Sequence, residues 1–258
     1  MRFPFTHFLS FGLVRSKEVT LSVPPDDRHQ IGIVGCGKMG ISIACELLRR
    51  GCTIFMWDNN AFRRHSVRKS VHAMLLTFRC FDKIRIEQML QRLHVAEHLE
   101  ELIGCRFPTI IEAVSEDVDI KQQVFADIFE ILKLNCVAPD RVCICSNSMS
   151  IPIEQVVNGL DEVYSHRCIG LRFLDPVVLI DRVEVTAPQS PNAIYVLRTV
   201  ETMLRCMQFK PSLSDKLSGQ RLSPMEWRVE HLFSQIFMAH AGPGLGAAAP
   251  EPLTSTKP

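Results

Sequence analysis

The stretch that most constrains this chain is Gln30 to Gly40, QIGIVGCGKMG. An apolar run (Ile31, Ile33, Val34) ends in Gly35-Cys36-Gly37-Lys38-Met39-Gly40, and Ile41 to Arg50 follows with the apolar spacing of a helix. In a strand-turn-helix unit of this kind, the first glycine permits a tight turn and the second lets the backbone approach a pyrophosphate. The third lets the helix pack on the strand. The helix N-terminus then turns free N–H groups and a partial positive charge toward the phosphates. A second apolar run, Cys52 to Trp57, ends in Asp58, 18 residues beyond Gly40, near the spacing of a carboxylate that meets an adenosine ribose. Glycine-rich turns also occur in α/β proteins that hold no ligand. Here motif and context together point to a dinucleotide.

The rest of the composition narrows the class. With 258 residues and 47% hydrophobic content, the chain can bury one large core or two modest ones. Twenty-nine basic against 28 acidic residues leave no overall field to favour nucleic acid or a membrane surface. No apolar run has the length of a membrane span. The ten cysteines include no CxxC pair and are scattered through apolar segments (Cys45, Cys52, Cys136, Cys168). They read as reduced core thiols in an intracellular compartment, cytoplasmic or mitochondrial. Cys143 and Cys145, two apart on a strand, are expected to share one face without forming a metal motif. The N-terminal segment MRFPFTHFLSFGLVRSK has no acid before Glu18. It reads either as a weak organelle-targeting presequence or as an unstructured or strand-like extension.

Along the chain, residues 1–29 form an extension, closed by Pro24-Pro25-Asp26-Asp27-Arg28. Strands and helices then alternate: strand 30–35, helix 38–50, strand 52–57, helix 60–78 and shorter helices over 83–103. Strand 107–114, helix 118–134, strand 141–145, a short helix with Ser150 as N-cap, strands 168–173 and 182–186, and helix 191–207 complete the pattern. This rhythm predicts an α/β fold, a Rossmann-type doubly wound, mostly parallel sheet with two added strands after Ser165 and a short C-terminal helical extension. The domain runs over 30–215, followed by a linker and amphipathic helix over 216–240 and a disordered tail over 241–258. Ser223-Pro224-Met225-Glu226 is a capping box. The helix it opens, 224–240, either covers the domain or binds a protein partner. His94 and His98 are four apart on an expected helix; without a third ligand they read as a solvated face, and no metal is expected.

Taken in order, the glycine loop, Glu112-Ala113-Val114-Ser115-Glu116, Ser146-Asn147-Ser148, Gly170-Leu171-Arg172-Phe173-Leu174-Asp175-Pro176 and Val183-Glu184-Val185 resemble the NAD-binding domain of the 3-hydroxyacyl-CoA dehydrogenases. The resemblance implies NAD as cofactor. It places Gly35, Gly37, Lys38, Met39 and Gly40 at the pyrophosphate, Asp58 at the ribose, and Glu116, Lys121 and Asp175 along the cleft. An acid at position 58 repels a 2′-phosphate, which favours NAD over NADP, and Arg63 and Arg64 read as helix-surface arginines.

Three departures bear on activity. The family has a histidine at the position of Arg172, an asparagine at Asp175 and a serine at Met149. There the histidine takes a hydroxyl proton while hydride leaves for nicotinamide, and a glutamate matching Glu184 orients it. Met74 and Phe81 are apolar where the resemblance implies a serine and a lysine touching CoA. Lys216-Leu217-Ser218-Gly219 stands where the family has a Pro-Gly-Phe motif leading into a helical domain. Guanidinium, with a pKa above about 12, does not serve as a general base. His166, six positions earlier, is expected on a loop, away from Glu184. The expectation is an NAD-binding relative, with Arg172 and Glu184 at the catalytic positions and weak or absent dehydrogenase activity. The alternatives are an active oxidoreductase on another 3-hydroxy acid, with Arg172 gripping its carboxylate, and a scaffold using the 224–240 helix. Acyl-CoA or a 3-hydroxy acid is the implied substrate.

Overall fold

Five residues, Gln30–Val34, form β1, and four of them are buried, as expected of a strand covered on both faces. The computed structural model describes residues 30–77, 82–104, 109–186 and 193–213. From β1 the chain enters α1 (Lys38–Arg49), β2 (Thr53–Trp57), α2 (Ala61–Thr77), α3 (Lys83–Leu90), β3 (Leu93–Val95), α4 (Leu99–Gly104) and β4 (Thr109–Glu112). It continues through α5 (Val118–Leu134), β5 (Cys143–Ser146), the short α6 (Ile153–Val156) and α7 (Glu162–Ser165), β6 (Cys168–Phe173), β7 (Arg182–Thr186), α8 (Ala193–Cys206) and β8 (Lys210–Leu213).

The strands form one sheet in the order β3-β2-β1-β4-β5-β6-β7-β8. β3 through β6 run parallel, β7 is antiparallel to β6, and β8 is parallel to β7. Side chains of successive residues point to opposite faces, and two cores follow. One gathers Ile31, Ile33, Ile111, Cys143 and Cys145 with apolar residues of α1, α2 and α8. The other gathers Val34, Ile110 and Ile144 with those of α4 and α5. Cys143 and Cys145 share a face, their Sγ atoms 3.7 Å apart. The doubly wound, mostly parallel sheet is the expected architecture. Among the described residues no helix is long and apolar enough to cross a membrane.

Several local expectations are corrected. His94 lies in β3 rather than on a helix with His98; β3 pairs with β2, and the imidazole stacks on Phe55 at 4.6 Å. Three described strands, not two, follow Ser165. The segment 210–213 is an edge strand, and its half-exposed KPSL sequence reads as irregular because one side lacks a core to face. Cys136 is exposed rather than buried, in a left-handed turn (φ 52°) that closes α5, and Cys206 is exposed too. Ser150 does not cap the short helix, whose N-cap is Pro152. The extension 1–29, Phe81 and the 216–240 and 241–258 segments lie outside the described residues.

A polar staple holds the non-cleft end of α1. Glu46 is fully buried and receives Arg49 at 2.6 Å and Arg50 at 2.5 Å. Arg50 also donates to the Met207 carbonyl at 2.6 Å and to Asp181 at 2.7 Å, and its guanidinium lies 3.8 Å from the centre of the Phe209 ring. One residue thus ties α1 to the start of β7 and to the α8–β8 turn. Arg50→Ala leaves Glu46 with Arg49 alone and is expected to cost about 3 kcal/mol in urea unfolding. Asp181→Asn, at a half-exposed partner, is expected to cost less than about 1 kcal/mol.

Candidate functional site

The glycine loop joins β1 to α1, and its three glycines are required for different reasons. Gly35 has φ +110°, and a Cβ there would meet the Ala113 carbonyl oxygen at 2.5 Å. A Cβ on Gly40 would lie 1.9 Å from the Gly35 carbonyl oxygen. Both positions are dictated by the packing of the chain on itself. A Cβ on Gly37 would meet nothing within 4 Å, at an ordinary φ of −74°. Gly37 is also the N-cap of α1 and supplies no side-chain cap, so the first-turn N–H groups of Lys38, Met39 and Gly40 have no intrahelical carbonyl to meet. Together with the helix dipole they form an anion site with space in front of it, which fits a pyrophosphate.

Asp58 ends β2 beside this loop and is 4% exposed. Its Oδ2 accepts from the Cys36 N–H at 2.8 Å, and its Oδ1 from the Asn60 N–H at 2.9 Å. The carboxylate therefore ties the glycine loop to the turn that leads into α2. Arg63 approaches it at 3.7 Å, while Arg64 donates to the Asp58 carbonyl at 2.7 Å and pairs with Glu97 at 3.3 Å. Burial, and then the charge of Asp58, push the Cys36 thiol up to about 12, so it stays protonated in the loop.

Across the cleft, the C-terminal edges of β4 and β5 carry a polar network that sequence reasoning registers only as motifs. Glu112, fully buried, accepts from Lys121 Nζ at 2.8 Å, from the Val114 N–H at 2.7 Å and from the Ser146 hydroxyl at 2.6 Å. Lys121, expected along the cleft, is 1% exposed and lies beneath it, with Glu116 as a second partner at 3.5 Å. Glu116 does line the cleft. One of its oxygens accepts from the Ser148 hydroxyl at 2.6 Å, from the Met149 and Ser150 N–H groups at 2.9 and 2.8 Å, and from the Ser150 hydroxyl at 2.9 Å. Burial opposes its charge, but these bonds from Ser148 and Ser150, with Lys121 nearby, hold its pKa down at about 2. The sequence shows Ser146-Asn147-Ser148 at the end of a strand, but only the fold reveals that Ser146 serves Glu112, Ser148 serves Glu116 and Asn147 meets the Phe173 N–H.

The cleft itself has a volume of about 240 Å³ and opens where β1, β4, β5 and β6 end. Met39, Glu116, Asn147, Arg172 and Asp175 line it. Arg172 and Glu184 face each other in the β6–β7 register, with Nη2 to Oε2 at 2.5 Å, and Arg172 is 5% exposed. Arg172 Nη1 also reaches the Met149 carbonyl at 3.5 Å. Asn147 accepts from the Phe173 N–H at 2.8 Å, which fixes the end of β6 against β5. Asp175, in the turn after β6, pairs with Lys38 at 2.7 Å. His166 sits at the C-cap of α7, before β6 begins. Four residues of strand, roughly 13 Å, separate the start of β6 from Arg172, so the imidazole belongs to the opposite edge of the sheet. Met74 packs against the core rather than toward the cleft.

Known proteins share this fold. Residues 30–210 match the family described as 3-hydroxyacyl-CoA dehydrogenase, NAD binding domain. A 3-hydroxybutyryl-CoA dehydrogenase of Bradyrhizobium diazoefficiens is 28% identical over 160 residues, covering 60% of this chain and 51% of that one. One from Mycobacterium tuberculosis is 26% identical over 221 residues, covering 84% and 73%. The crystal structure of M. tuberculosis FadB2 superposes with a TM-score of 0.66 at 25% identity, over 84% of this chain and 73% of that one. The chain spans about half the length of the Bradyrhizobium relative.

Three outcomes follow from the loop and the network. Gly37→Val is expected to lower stability by only about 1 kcal/mol, the loss of a favoured N-cap residue. It should weaken NADH binding at least about tenfold by fluorescence titration, about 1.4 kcal/mol. Gly40→Ala should instead destabilise by about 2 kcal/mol or more, because the new methyl meets backbone. The folded pKa of Glu116, about 2, lies below the ordinary 4.5. Its contribution to stability is therefore complete above about pH 4.5 and is lost as pH falls toward 2. With 37% of the side chain exposed, screening limits the effect, and Glu116→Gln should cost on the order of 1 kcal/mol at pH 7. In urea titrations across pH, the gap to wild type should close near pH 2.

Proposed function

Since the chain belongs to the 3-hydroxyacyl-CoA dehydrogenase family, of which it carries the NAD-binding domain, we propose that it uses this cleft to hold NAD while having weak or no dehydrogenase activity. In this reading Gly35, Gly37, Lys38, Met39 and Gly40 hold the pyrophosphate, Asp58 the ribose, and Glu116 the far end of the cleft, while Asp175 completes the wall beside Lys38. Lys121 acts from below, by fixing Glu112 and Glu116. A bound nicotinamide supplies one thing, a carbon that takes or gives hydride. The chain must supply the rest, above all a group that moves the hydroxyl proton.

The observation that carries the proposal is the Arg172–Glu184 pair, 2.5 Å apart at the cleft wall. Arg172 is a permanent cation with no lone pair to offer a proton. Glu184, the neighbour able to accept one, already has an oxygen engaged by Arg172. Loss of a positioned acid/base commonly costs roughly 10²–10⁴ in rate. The second reading, an active enzyme on a different 3-hydroxy acid, draws on Arg172 lining the cleft. It asks that guanidinium to grip a substrate carboxylate while Glu184 neutralises it, so the first reading is preferred. A scaffold role would rest on the 224–240 helix, outside the described residues.

The test is acetoacetyl-CoA reduction followed at the NADH absorbance, beside an NADH binding titration on the same protein. Binding without turnover is expected, and Arg172→His with Asp175→Asn should raise turnover by about 10² or more. Clear turnover by the wild type, abolished in Glu184→Gln, would overturn the inactive reading. Oxidation of NADH by free 3-keto acids but not by their CoA esters would favour the second.

A further inference from the structure

The ion pair between Lys38 and Asp175 joins residues 137 apart in sequence, with a 2.7 Å contact between Nζ and Oδ2. Lys38 is the first residue of α1, in the same turn whose N–H groups form the anion site. Asp175 lies in the turn just after β6. In the sheet order, β4 and β5 separate β1 from β6, so the strands these two residues flank are roughly 14 Å apart. Between them, Ala113 beyond β4 and Asn147 beyond β5 line the cleft. The Lys38–Asp175 pair is therefore a bar laid over the cleft mouth, not a contact within one loop. Its exposure, 75% for Lys38 and 27% for Asp175, keeps both groups within reach of an incoming anion.

Resting on the cofactor reading above, we propose that Asp175 is an internal competitor for the dinucleotide's pyrophosphate, which it opposes by holding the Lys38 ammonium. Lys38 stands on the turn built to receive a phosphate, yet its charge is spent on a carboxylate across the cleft. Asp175 must give up Lys38 before that ammonium can serve a phosphate oxygen. The residue pair thus sets nucleotide affinity through an exchange of partners on one cation. An asparagine at position 175 would keep the shape of the turn and release Lys38.

The experiment is a double-mutant cycle on the full chain, with NADH followed by fluorescence and ADP by calorimetry. ADP carries the pyrophosphate without nicotinamide, so it isolates the phosphate contact. Asp175→Asn is expected to tighten both ligands about two- to fivefold, the range of an exposed ion pair. Lys38→Met should weaken both, and adding Asp175→Asn to Lys38→Met should change nothing further. Unchanged or weaker binding in Asp175→Asn overturns the proposal. So does an equal gain in the Lys38→Met background, which would reduce Asp175 to a distant charge. If wild type and all variants bind neither NADH nor ADP at millimolar concentration, the cofactor reading itself fails and the competitor with it. Binding by the wild type with no response to Asp175→Asn would refute the competitor alone.

Discussion

The Glu112 carboxylate, removed entirely from water, has three donors: Lys121, the Val114 N–H and the Ser146 hydroxyl. Burying an ion pair is costly unless every lone pair is met, and here the partners come from β5, from α5 and from the turn after β4. Lys121 reaches on to Glu116, Glu116 gathers the 148–150 turn, and the carbonyl of Met149 in that turn meets Arg172. A continuous polar path thus runs beneath the cleft from β4 to β6. The floor is rigid because each group in it is another group's partner.

On that floor the charges are arranged in pairs. Arg172 faces Glu184, Lys38 faces Asp175, and Lys121 stands between Glu112 and Glu116. A dehydrogenase site needs one group whose protonation can change near neutral pH. At position 172 the cleft wall carries a guanidinium already tied to a carboxylate. The glycine loop beside it presents an open helix terminus, with Asp58 bonded to its backbone.

Much of the fold could be read along the chain where a single local rule operates. α5 spans 118–134 as its 3.6-residue apolar period implies, with Asp117 capping its first turn. β6 and β7 coincide with their apolar and alternating runs. The departures share a cause. His94 looked helical because four-residue spacing to His98 mimics a helix face, while a three-residue strand carries too few residues to show a period. The edge strand at 210–213 is half-exposed, so it lacks an apolar signature. Cys136 follows an apolar run yet sits where the helix ends and the backbone turns left-handed, a position chosen by chain reversal rather than hydrophobicity.

By itself the sequence determined the glycine loop, the strand-helix alternation, the acid at 58 and the arginine at 172, because each depends on residue type at short range. Only the tertiary structure decided that Lys121 is buried beneath the cleft, that four donors converge on Glu116, that Arg172 meets Glu184 and that Lys38 meets Asp175. Those partners lie 5 to 137 residues apart and come together through sheet order and strand register, which no local pattern encodes.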